Sequence, residues 1–344
     1  MRILLVTDAW APQVNGVVRT LQRVKSECEG LGHVVEVISP DQFRTAPCPT
    51  YPEIRLAWRP GGGIGARLDA FGPDAVHLAT EGPLGLAGRR QCLRRGLPFT
   101  TSYHTRFPEY LNARVPLPLA VGYAAMRWFH RPSKAMMVAT ASIRRDLEVR
   151  GFGNIAAWSR GVDAELFRPD REPALALPRP VHLYVGRVAV EKNLEAFLAM
   201  PIRGGSKLVV GDGPELSQLA ARYPGVHFAG ARLGEELARH YASGDVFVFP
   251  SLTDTFGLVL LEALASGLPV AAYPAPGPLD VIGDSGCGVL DQDLARAAAL
   301  ALAIPRARCR AHALAFTWRR CAEQFLENLH PVAAARDAPR AAAE

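Results

Sequence analysis

The order of hydrophobic and polar positions along the chain predicts a parallel α/β protein. Short apolar runs rich in valine, isoleucine and leucine alternate with longer stretches in which apolar residues recur at helical spacing. This alternation is typical of strand–helix–strand units, in which a helix crosses over a parallel sheet. The runs that predict strands cover residues 2–7, 34–39, 75–78, 99–102, 135–139 and 155–158 in the first half, and 182–185, 207–210, 226–228, 246–249 and 270–272 in the second.

A segment of different character separates the two sets of strands. Residues 160–180, RGVDAELFRPDREPALALPRP, are rich in proline and charge and lack an apolar period, which is typical of an interdomain linker. A length of 344 residues also suggests two domains. We expect Rossmann-like domains at residues 1–163 and 181–311 and a linker at 164–180. An amphipathic C-terminal helix is expected at 312–330 and a disordered tail at 331–344.

Composition and charge narrow the class of protein. The formal net charge is +6 and the pI is near 9.1. The positive charge has two possible interpretations. The arginines are solvated on helix faces, or they attract an anionic membrane or phosphate-bearing ligands. Basic clusters such as GRRQCLRRG at 88–96 lack interleaved aromatic residues, and no nucleic-acid motif occurs, so we expect no nucleic acid as partner.

Targeting and cysteine patterns favour a cytoplasmic protein. No window of 18 uncharged apolar residues predicts a transmembrane span, and the start MRILLVTDAW resembles a first strand rather than a signal peptide. The six cysteines are scattered without a CxxC pair, so neither a metal knuckle nor a disulfide framework is indicated. Free, mostly structural thiols are therefore expected.

Two Rossmann-like domains in tandem imply a cleft, and ligands of doubly wound sheets bind beyond the carboxyl ends of the strands. Candidate residues should therefore follow strands directly. After the first strand, Asn15 and Gly16 begin a helical pattern, where backbone N–H groups favour anions. After the strand at 75–78, Thr80 and Glu81 are placed at the cleft rim. An ordinary loop at Gly16 and a helix-capping role for Thr80 are the alternatives.

The strand at 99–102 leads into a second group of candidates on the first domain. His104 follows this strand and can donate to a substrate hydroxyl or phosphate, whereas a lone histidine more often has a structural role. Tyr103 precedes it in the same SYHT stretch. Both residues are assigned to the acceptor side.

In the second half, HLYVGRVAVEKN places two cations beside a strand end. Arg187 follows Gly186 directly, and Lys192 stands at the start of the next helical pattern. Such a pair suits a diphosphate, because arginine clamps two oxygens and lysine acts as a point charge. The alternative is a surface pair of cations with Glu191 as partner. The later turn GDGP at 211–214 lacks a dinucleotide or Walker fingerprint and is expected only to support a nucleotide nearby.

The stretch PSLTDTFGLVLLEALASGLPVAA at 250–272 carries two acids, Asp254 and Glu262. A fully helical connection between them would span ~12 Å, whereas paired glycosidase carboxylates sit ~5–9.5 Å apart around one bond. This spacing favours two contacts on one extended ligand. Gly257, at the expected helix start, would offer N–H groups to a phosphate. The alternative is a capping Asp254 with a half-exposed Glu262.

Together these residues resemble the retaining GT-B glycosyltransferases of family 4 over essentially the whole chain. The VGR…EKN box, the GDGP turn and the acid-x7-acid box occur in that family's order and spacing. The resemblance implies a GT-B fold, two Rossmann-like domains facing a cleft, with the C-terminal helix crossing back to the N-terminal domain. It also implies a hexosyltransferase that takes its sugar from a nucleotide diphosphate with retention, without a metal and with no cofactor beyond that co-substrate.

The resemblance also implies roles for individual residues. Glu262 would bind the nucleotide ribose and Asp254 the hydroxyls of the donor sugar, although the family more often has Glu where Asp254 stands. The residues that would act in catalysis are His104, Arg187, Lys192 and Asp254. The residues that would contact the donor are Gly16, Gly186, Arg187, Lys192, Asp254, Phe256, Gly257, Leu258 and Glu262. The residues on the acceptor side would be Asn15, Thr80, Glu81, Tyr103 and His104.

The sequence determines the acceptor less well than the sugar donor. The start DAWAPQVNGVVRT, the TEGPLG loop and SYHT are most similar to the lipid-directed branch, which includes diacylglycerol and phosphatidylinositol glycosyltransferases and GDP-mannose-dependent α-mannosyltransferases. The segment 114–137 combines apolar residues, Trp128 and flanking cations and suits an interfacial patch, with a core-packing helix as the alternative. We therefore expect a membrane glycerolipid acceptor and a peripheral position on the inner membrane face. A soluble sugar, polysaccharide or lipopolysaccharide precursor, or a non-catalytic sugar-nucleotide binding protein, are the alternatives.

Overall fold

The protein is described by a computed structural model that covers residues 1–48, 51–112 and 117–332. The chain divides into two compact units. The first comprises Met1–Ser159 and the segment from Trp318 onward, and the second comprises Arg160–Thr317. The expected linker at 164–180 thus belongs to the second unit. The tail expected at 331–344 lies, from residue 333 onward, outside the described residues.

The first unit is built on a six-stranded parallel sheet with a separate antiparallel hairpin. Its strands are β1 Arg2–Val6, β2 Val34–Ile38, β3 Thr45–Cys48, β4 Tyr51–Ala57, β5 Ala75–Leu78, β6 Thr100–Tyr103, β7 Met136–Val138 and β8 Ile155–Ala157. Its helices in this part are α1 Gly16–Gly30, α2 Gly61–Phe71, α3 Pro83–Arg95, α4 Phe107–Asn112, α5 Leu119–His130 and α6 Ala141–Val149, with a 3-10 turn at Pro40–Gln42. The order across the sheet is β2-β1-β5-β6-β7-β8.

Successive side chains of β1 contact helices on opposite faces of the sheet. Ile3 and Leu5 pack with α1, whereas Leu4 and Val6 pack with α2 and α3. Successive side chains of a strand point to opposite faces, so both faces are buried and the strand is apolar throughout. This explains why the strand signal in the sequence is a continuous apolar run.

The β3–β4 hairpin, which pairs antiparallel, was not expected from the sequence. Its stretch TAPCPTYPEIRLA contains three prolines, and a proline lacks the N–H that a strand ladder uses. Pro47 and Pro52 are tolerated because the hairpin stands apart from the central sheet.

The second unit is also built on a six-stranded parallel sheet. Its strands are β9 Val181–Val185, β10 Ser206–Val210, β11 His227–Gly230, β12 Val246–Phe249, β13 Val270–Ala272 and β14 Gly288–Leu290. Its helices are α7 Leu194–Ala199, α8 Leu216–Arg222, α9 Gly234–Ala242, α10 Leu258–Ala265, α11 Pro276–Val281, α12 Leu294–Ala301 and α13 Arg306–Ala313, with a 3-10 turn at Val190–Lys192. All strands are parallel, in the order β11-β10-β9-β12-β13-β14.

The last helix, α14 Trp318–Asn328, returns to the first unit as expected. Its apolar face joins the core formed by β1 and α1, where Phe325 is buried. The indole Nε1 of Trp158 donates to the carbonyl of Cys321 at 3.0 Å. Cys321 in turn donates from Sγ to the carbonyl of Ser159 at 3.1 Å. These contacts fix the helix against the end of β8. In the described part of the chain, no helix is long and apolar enough to cross a membrane.

Candidate active site

The strand order of the second unit creates a switch point between β9 and β12. From β9 the chain adds β10 and β11 on one side, and then continues with β12, β13 and β14 on the other. Where the direction of winding reverses, the loops that follow the two central strands diverge and leave room for a ligand at the carboxyl edge. The predicted donor residues other than Gly16, which belongs to the first unit, lie in these two loops and in the elements that follow them.

Lys192 and Asp254 show that the two loops meet. The Lys192 Nζ lies 2.6 Å from Asp254 Oδ1, and the two side chains are 21% and 17% exposed. The second oxygen of the carboxylate, Oδ2, is buried and has no hydrogen-bond partner among the described residues. A buried acceptor without a donor is uncommon, because it forfeits the water bonds it made in the unfolded chain. Asp254 therefore has one oxygen neutralised by a cation and one oxygen that a hydroxyl can satisfy.

Two further hydrogen bonds hold the loops together. Asn193 donates from Nδ2 to the carbonyl of Pro250 at 3.1 Å, and Thr253 donates from Oγ1 to the carbonyl of Glu191 at 3.1 Å. Asn193 has a φ of 52°, a left-handed conformation that asparagine tolerates better than most residues. The contact between Lys192 and Asp254 is thus part of a fixed junction.

Arg187 lies in the same region, directly after β9. Its guanidinium Nη1 is 4.0 Å from Glu191 Oε1, and its side chain is 34% exposed. Glu191 is the partner expected if Arg187 is a surface cation, which is the alternative given in the sequence analysis. The ion pair is at the limit of contact distance, and the side chain is partly exposed.

The GDGP turn supports the loop that carries Arg187. A β-carbon on Gly211 would lie 1.8 Å from the carbonyl oxygen of Gly186, and one on Gly213 would lie 2.2 Å from that of Val188. Only glycine permits backbone segments to pack this closely. The Val188 N–H also donates to the carbonyl of Asp212 at 2.9 Å. The two glycines therefore have a packing role next to the site.

Glu262 is more deeply buried than Asp254, at 6% exposed. Its Oε2 accepts a hydrogen bond of 2.9 Å from the hydroxyl of Tyr241, which is fully buried on α9. Helix α10 begins at Leu258, so Asp254 lies in the preceding loop and the fully helical estimate of their separation does not apply. Nothing in the sequence around Tyr241 indicated this contact.

The start of α10 contains the remaining predicted donor contacts. Gly257 is the N-cap with a φ of 82° and has no side chain that could cap the first turn. Phe256 before it is buried, and Leu258 after it is the first helical residue. A left-handed N-cap favours glycine, which is consistent with its place in the acid-x7-acid box.

The first unit has its own switch point, between β1 and β5, and a buried carboxylate lies there. Asp8 accepts from the Thr80 hydroxyl at 2.8 Å and from the backbone N–H groups of Leu84 and Gly85 at 2.9 and 3.3 Å. Burial raises the pKa of Asp8, and these donors offset part of the effect. Asp8 thus caps the N-terminus of α3, although it lies far from that helix in the sequence. The Thr80 hydroxyl donates a further hydrogen bond to the same carboxylate. The sequence analysis did not select Asp8.

The glycines of the TEGPLG loop allow this approach. A β-carbon on Gly82 would lie 2.5 Å from the Asp8 carboxyl carbon, and one on Gly85 would lie 1.8 Å from the carbonyl oxygen of Thr80. The loop therefore depends on glycine at both positions.

Glu81 has a buried partner that the sequence did not suggest. Its Oε1 lies 3.2 Å from His130 Nε2 on α5, and the other ring nitrogen of His130 is 2.9 Å from Thr101 Oγ1. His130 is completely buried. Because both ring nitrogens are engaged, the histidine fixes the position of Glu81 relative to β6.

The other candidates of the first unit occupy different environments. Tyr103 is the last residue of β6 and is buried, which raises the pKa of its hydroxyl. His104 follows it, half-buried, with its ring edge-on to Trp158 at 5.6 Å between centroids. Asn15 is the N-cap of α1, and its Oδ1 accepts from the N–H groups of Val17 and Val18 at 3.0 Å each. Gly16 is the first helical residue and is exposed.

Comparison with known proteins decides the family. Residues 14–166 match the model for Glycosyltransferase Family 4, and residues 179–306 match that for Glycosyl transferases group 1. A GDP-mannose-dependent alpha-mannosyltransferase of Mycobacterium tuberculosis is 32% identical over 315 residues, which cover 84% of this chain and 83% of that protein. The chain belongs to glycosyltransferase family 4. The predicted family and the predicted enzyme class, a glycosyltransferase, are confirmed.

Further similarities extend over most of this family-4 chain. Alpha-monoglucosyldiacylglycerol synthase of Streptococcus pneumoniae is 28% identical over 343 residues, 86% of this chain and 77% of that protein. Sucrose-phosphate synthase from Thermosynechococcus elongatus superposes with a TM-score of 0.75 at 22% identity, covering 95% of this chain and 97% of that one. Anabaena HepE in complex with UDP and glucose gives a TM-score of 0.69 at 17% identity, with 95% and 98% coverage. The GT-B fold class is confirmed.

Proposed function

We propose that this glycosyltransferase moves a hexose from a nucleotide-diphosphate sugar, of the GDP-mannose or UDP-glucose type, to a membrane glycerolipid. The transfer retains the anomeric configuration and needs neither a metal ion nor a further cofactor. The enzyme acts peripherally on the inner face of the membrane.

The observation that carries this proposal is the junction of Lys192 and Asp254 at the switch point of the second unit. A 2.6 Å ion pair leaves Asp254 Oδ2 buried without a donor among the described residues. A sugar hydroxyl supplies such a donor. The ammonium of Lys192 has three N–H groups, so it can bond Asp254 and a phosphate oxygen together.

Charge stabilisation follows from the same geometry. When the bond to the sugar breaks, negative charge develops on the diphosphate leaving group. Fixed cations at its position stabilise that charge most effectively when they need not reorganise. Lys192, fixed by Asp254, and Arg187, which is partly exposed beside it in the chain, take this role. They can supply the charge that a divalent metal supplies in other transferases.

Glu262 takes the nucleoside end of the donor. A carboxylate beside a ribose accepts hydrogen bonds from the ribose hydroxyls. The Glu262 carboxylate is held in place by the Tyr241 hydroxyl, which donates to Oε2. Because Glu262 is buried on α10, it is suited to a fixed part of the ligand. Asp254, in the loop before α10, contacts the hydroxyls of the sugar, which differ from one donor to another.

The lipid acceptor is supported by relatives and by the surface of α5. The pneumococcal relative is named for diacylglycerol, and a mannosyltransferase of M. tuberculosis, 27% identical over 97% of both chains, is named for phosphatidylinositol dimannoside. On α5, Val121 and Trp128 are exposed, whereas Tyr123 and Phe129 are buried. The outward apolar side chains support the interfacial interpretation of the segment 114–137, and the inward ones belong to the core. Residues 114–116 lie outside the described residues.

A donor and acceptor screen tests the proposal. Purified enzyme is incubated with radiolabelled GDP-mannose, UDP-glucose and other UDP- and GDP-sugars, with extracted lipids or soluble saccharides as acceptors and with or without EDTA. We expect transfer to lipid from one donor, undiminished by EDTA, and an α-linked product by NMR. The Lys192→Met variant serves as the inactive control. Transfer only to soluble acceptors would refute the lipid assignment, and loss of activity in EDTA would refute metal independence.

A further inference from the structure

His104 packs against a fully buried aromatic cluster that has no part in donor binding. The centroid of its imidazole lies 5.6 Å from that of the Trp158 indole, with 65° between the two rings. Edge-to-face contact at this separation is a favoured arrangement of two aromatic rings. Trp158 directly follows β8 and is completely buried, whereas His104 is half-buried. The imidazole therefore has a rigid neighbour on its inner side.

The alternation along β6 explains why His104 faces this cluster. Side chains two positions apart on a strand point to the same face of a sheet, so Thr100, Ser102 and His104 lie in one row. The hydroxyls of Thr100 and Ser102 each lie 2.8 Å from a ring nitrogen of His77 on β5. His77 is completely buried, and its ring is edge-on to Trp158 at 6.0 Å between centroids. The row thus lies over the indole.

Trp158 is held in turn by the C-terminal helix α14. Its Nε1 donates to the carbonyl of Cys321 at 3.0 Å. The ring of Phe325 lies 5.3 Å from the indole and 5.0 Å from His77, between centroids. A buried indole whose N–H is bonded cannot take another rotamer without leaving that donor unsatisfied. The orientation of Trp158 therefore depends on α14.

We propose that Trp158 is a positioning residue, which transmits the packing of α14 to His104 and so fixes the imidazole for sugar transfer. A side chain in the loop after a strand keeps one orientation only where packing locks its rotamer. The indole supplies that packing, and α14 holds the indole. The inference rests on the proposed sugar transfer and on the part that the family resemblance gives to His104 in it.

A kinetic double-mutant cycle tests the coupling. Trp158→Leu, His104→Ala and the double variant are compared with the parent chain, with the donor that supports transfer. We expect Trp158→Leu to lower kcat by about 10- to 100-fold, as for a misplaced reacting group, with GDP and UDP binding unchanged. In the His104→Ala chain the same substitution should change kcat by less than about twofold, because no imidazole is left to misplace. Trp158→Phe keeps an aromatic ring and should recover most of kcat.

A second measurement needs no turnover. NMR of the full chain with ¹³C-labelled histidine gives signals for each imidazole, and loss of one set in His104→Ala assigns that residue. Phe325→Leu keeps the indole but removes its support from α14, so the His104 signals should shift. Phe71→Leu is the matched control, since Phe71 is also buried but belongs to the core on the other face of the sheet. It should leave the His104 signals and kcat unchanged.

The outcomes distinguish positioning from stability. Equal factors of loss for Trp158→Leu in the parent and His104→Ala chains would overturn the proposal, as would His104 signals that stay in place in Phe325→Leu. Full transfer by His104→Ala would also overturn it. If thermal unfolding shows that Trp158→Leu does not fold, Phe325→Leu replaces it in the cycle. If no donor supports transfer, the proposed function fails, and the NMR result still decides whether α14 positions the imidazole.

Discussion

The ion pair between Lys192 and Asp254 allows a prediction that separates its structural contribution from its proposed role in donor binding. The change is Lys192→Met and Asp254→Asn, made singly and together. Methionine keeps the length of the lysine stem without the ammonium, and asparagine keeps the shape of the aspartate without its charge. The four proteins form a double-mutant cycle.

The magnitude follows from the distance and the burial of the pair. Exposed ion pairs contribute ~0.2–1 kcal/mol, and breaking one that is fully buried costs ~3–5 kcal/mol. A 2.6 Å pair with side chains 21% and 17% exposed lies between these limits. We expect Lys192→Met to lower the free energy of unfolding by about 1–2 kcal/mol, because it leaves a carboxylate with both oxygens poorly satisfied. The double variant, which has no charge to compensate, should unfold within about 1 kcal/mol of the parent.

Donor binding should follow a different pattern. A hydrogen bond to a charged group contributes ~1.5–3 kcal/mol, so loss of Lys192 should weaken GDP or UDP binding by about 10- to 100-fold. Asp254→Asn in the same chain restores stability but cannot restore a cation. Binding should therefore be weak in both the single lysine variant and the double variant. Urea unfolding followed by circular dichroism gives the first quantity, and titration calorimetry with GDP and UDP gives the second.

A matched control is the pair of Lys25 and Glu29 on α1, which has the same 2.6 Å distance but side chains 31% and 42% exposed. Lys25→Met should change the free energy of unfolding by less than about 0.5 kcal/mol and leave nucleotide binding unchanged. Additive stability effects in the Lys192 and Asp254 cycle would show that the pair contributes nothing. Nucleotide binding that recovers in the double variant would refute the assignment of Lys192 to the diphosphate.

Three further predictions concern other buried groups. Glu262→Ala should weaken GDP or UDP binding about tenfold or more by calorimetry, since the ribose loses a charged acceptor. Asp8→Ala should lower the free energy of unfolding by about 3 kcal/mol in urea, because the N–H groups capping α3 lose their buried partner. Burial raises the pKa of three thiols to about 12, so they stay protonated and react slowly at neutral pH in the folded chain. These are Cys28, Cys92 and Cys309. A native thiol titration at neutral pH should therefore show rapid reaction at Cys48, which is half-buried, and slow reaction elsewhere.

Each of these predictions has a control. Glu323→Ala on α14, outside the site, should leave nucleotide binding unchanged, and unaltered binding in Glu262→Ala would contradict the ribose assignment. Asp41→Ala, at an exposed position, should cost under about 0.5 kcal/mol, and a similar small cost for Asp8→Ala would show that α3 does not need its buried cap. Addition of urea should release all six thiols, and rapid modification of Cys92 without urea would contradict the burial argument.

The sequence alone determined the parallel α/β class, the position of every predicted strand and the family. These features follow from local patterns. A strand covered on both faces must be apolar along its length, and a loop that carries chemistry at the carboxyl edge follows its strand immediately. The C-terminal helix could be assigned to the first unit from the family resemblance. The hairpin of β3 and β4 was missed because its prolines contradict the local strand signal.

Only the tertiary structure decided which side chains meet. Lys192 and Asp254 are 62 positions apart, and their contact depends on the reversal of strand order between β9 and β12. Asp8, His130 and Tyr241 gave no sequence signal, because an isolated acid, histidine or tyrosine has no periodicity. Their roles arise from partners that long-range packing brings beside them, namely Thr80, Glu81 and Glu262. Local hydrophobic pattern specifies the elements, whereas the hydrogen-bond partners of a buried polar group are set by the packing of elements distant in the chain.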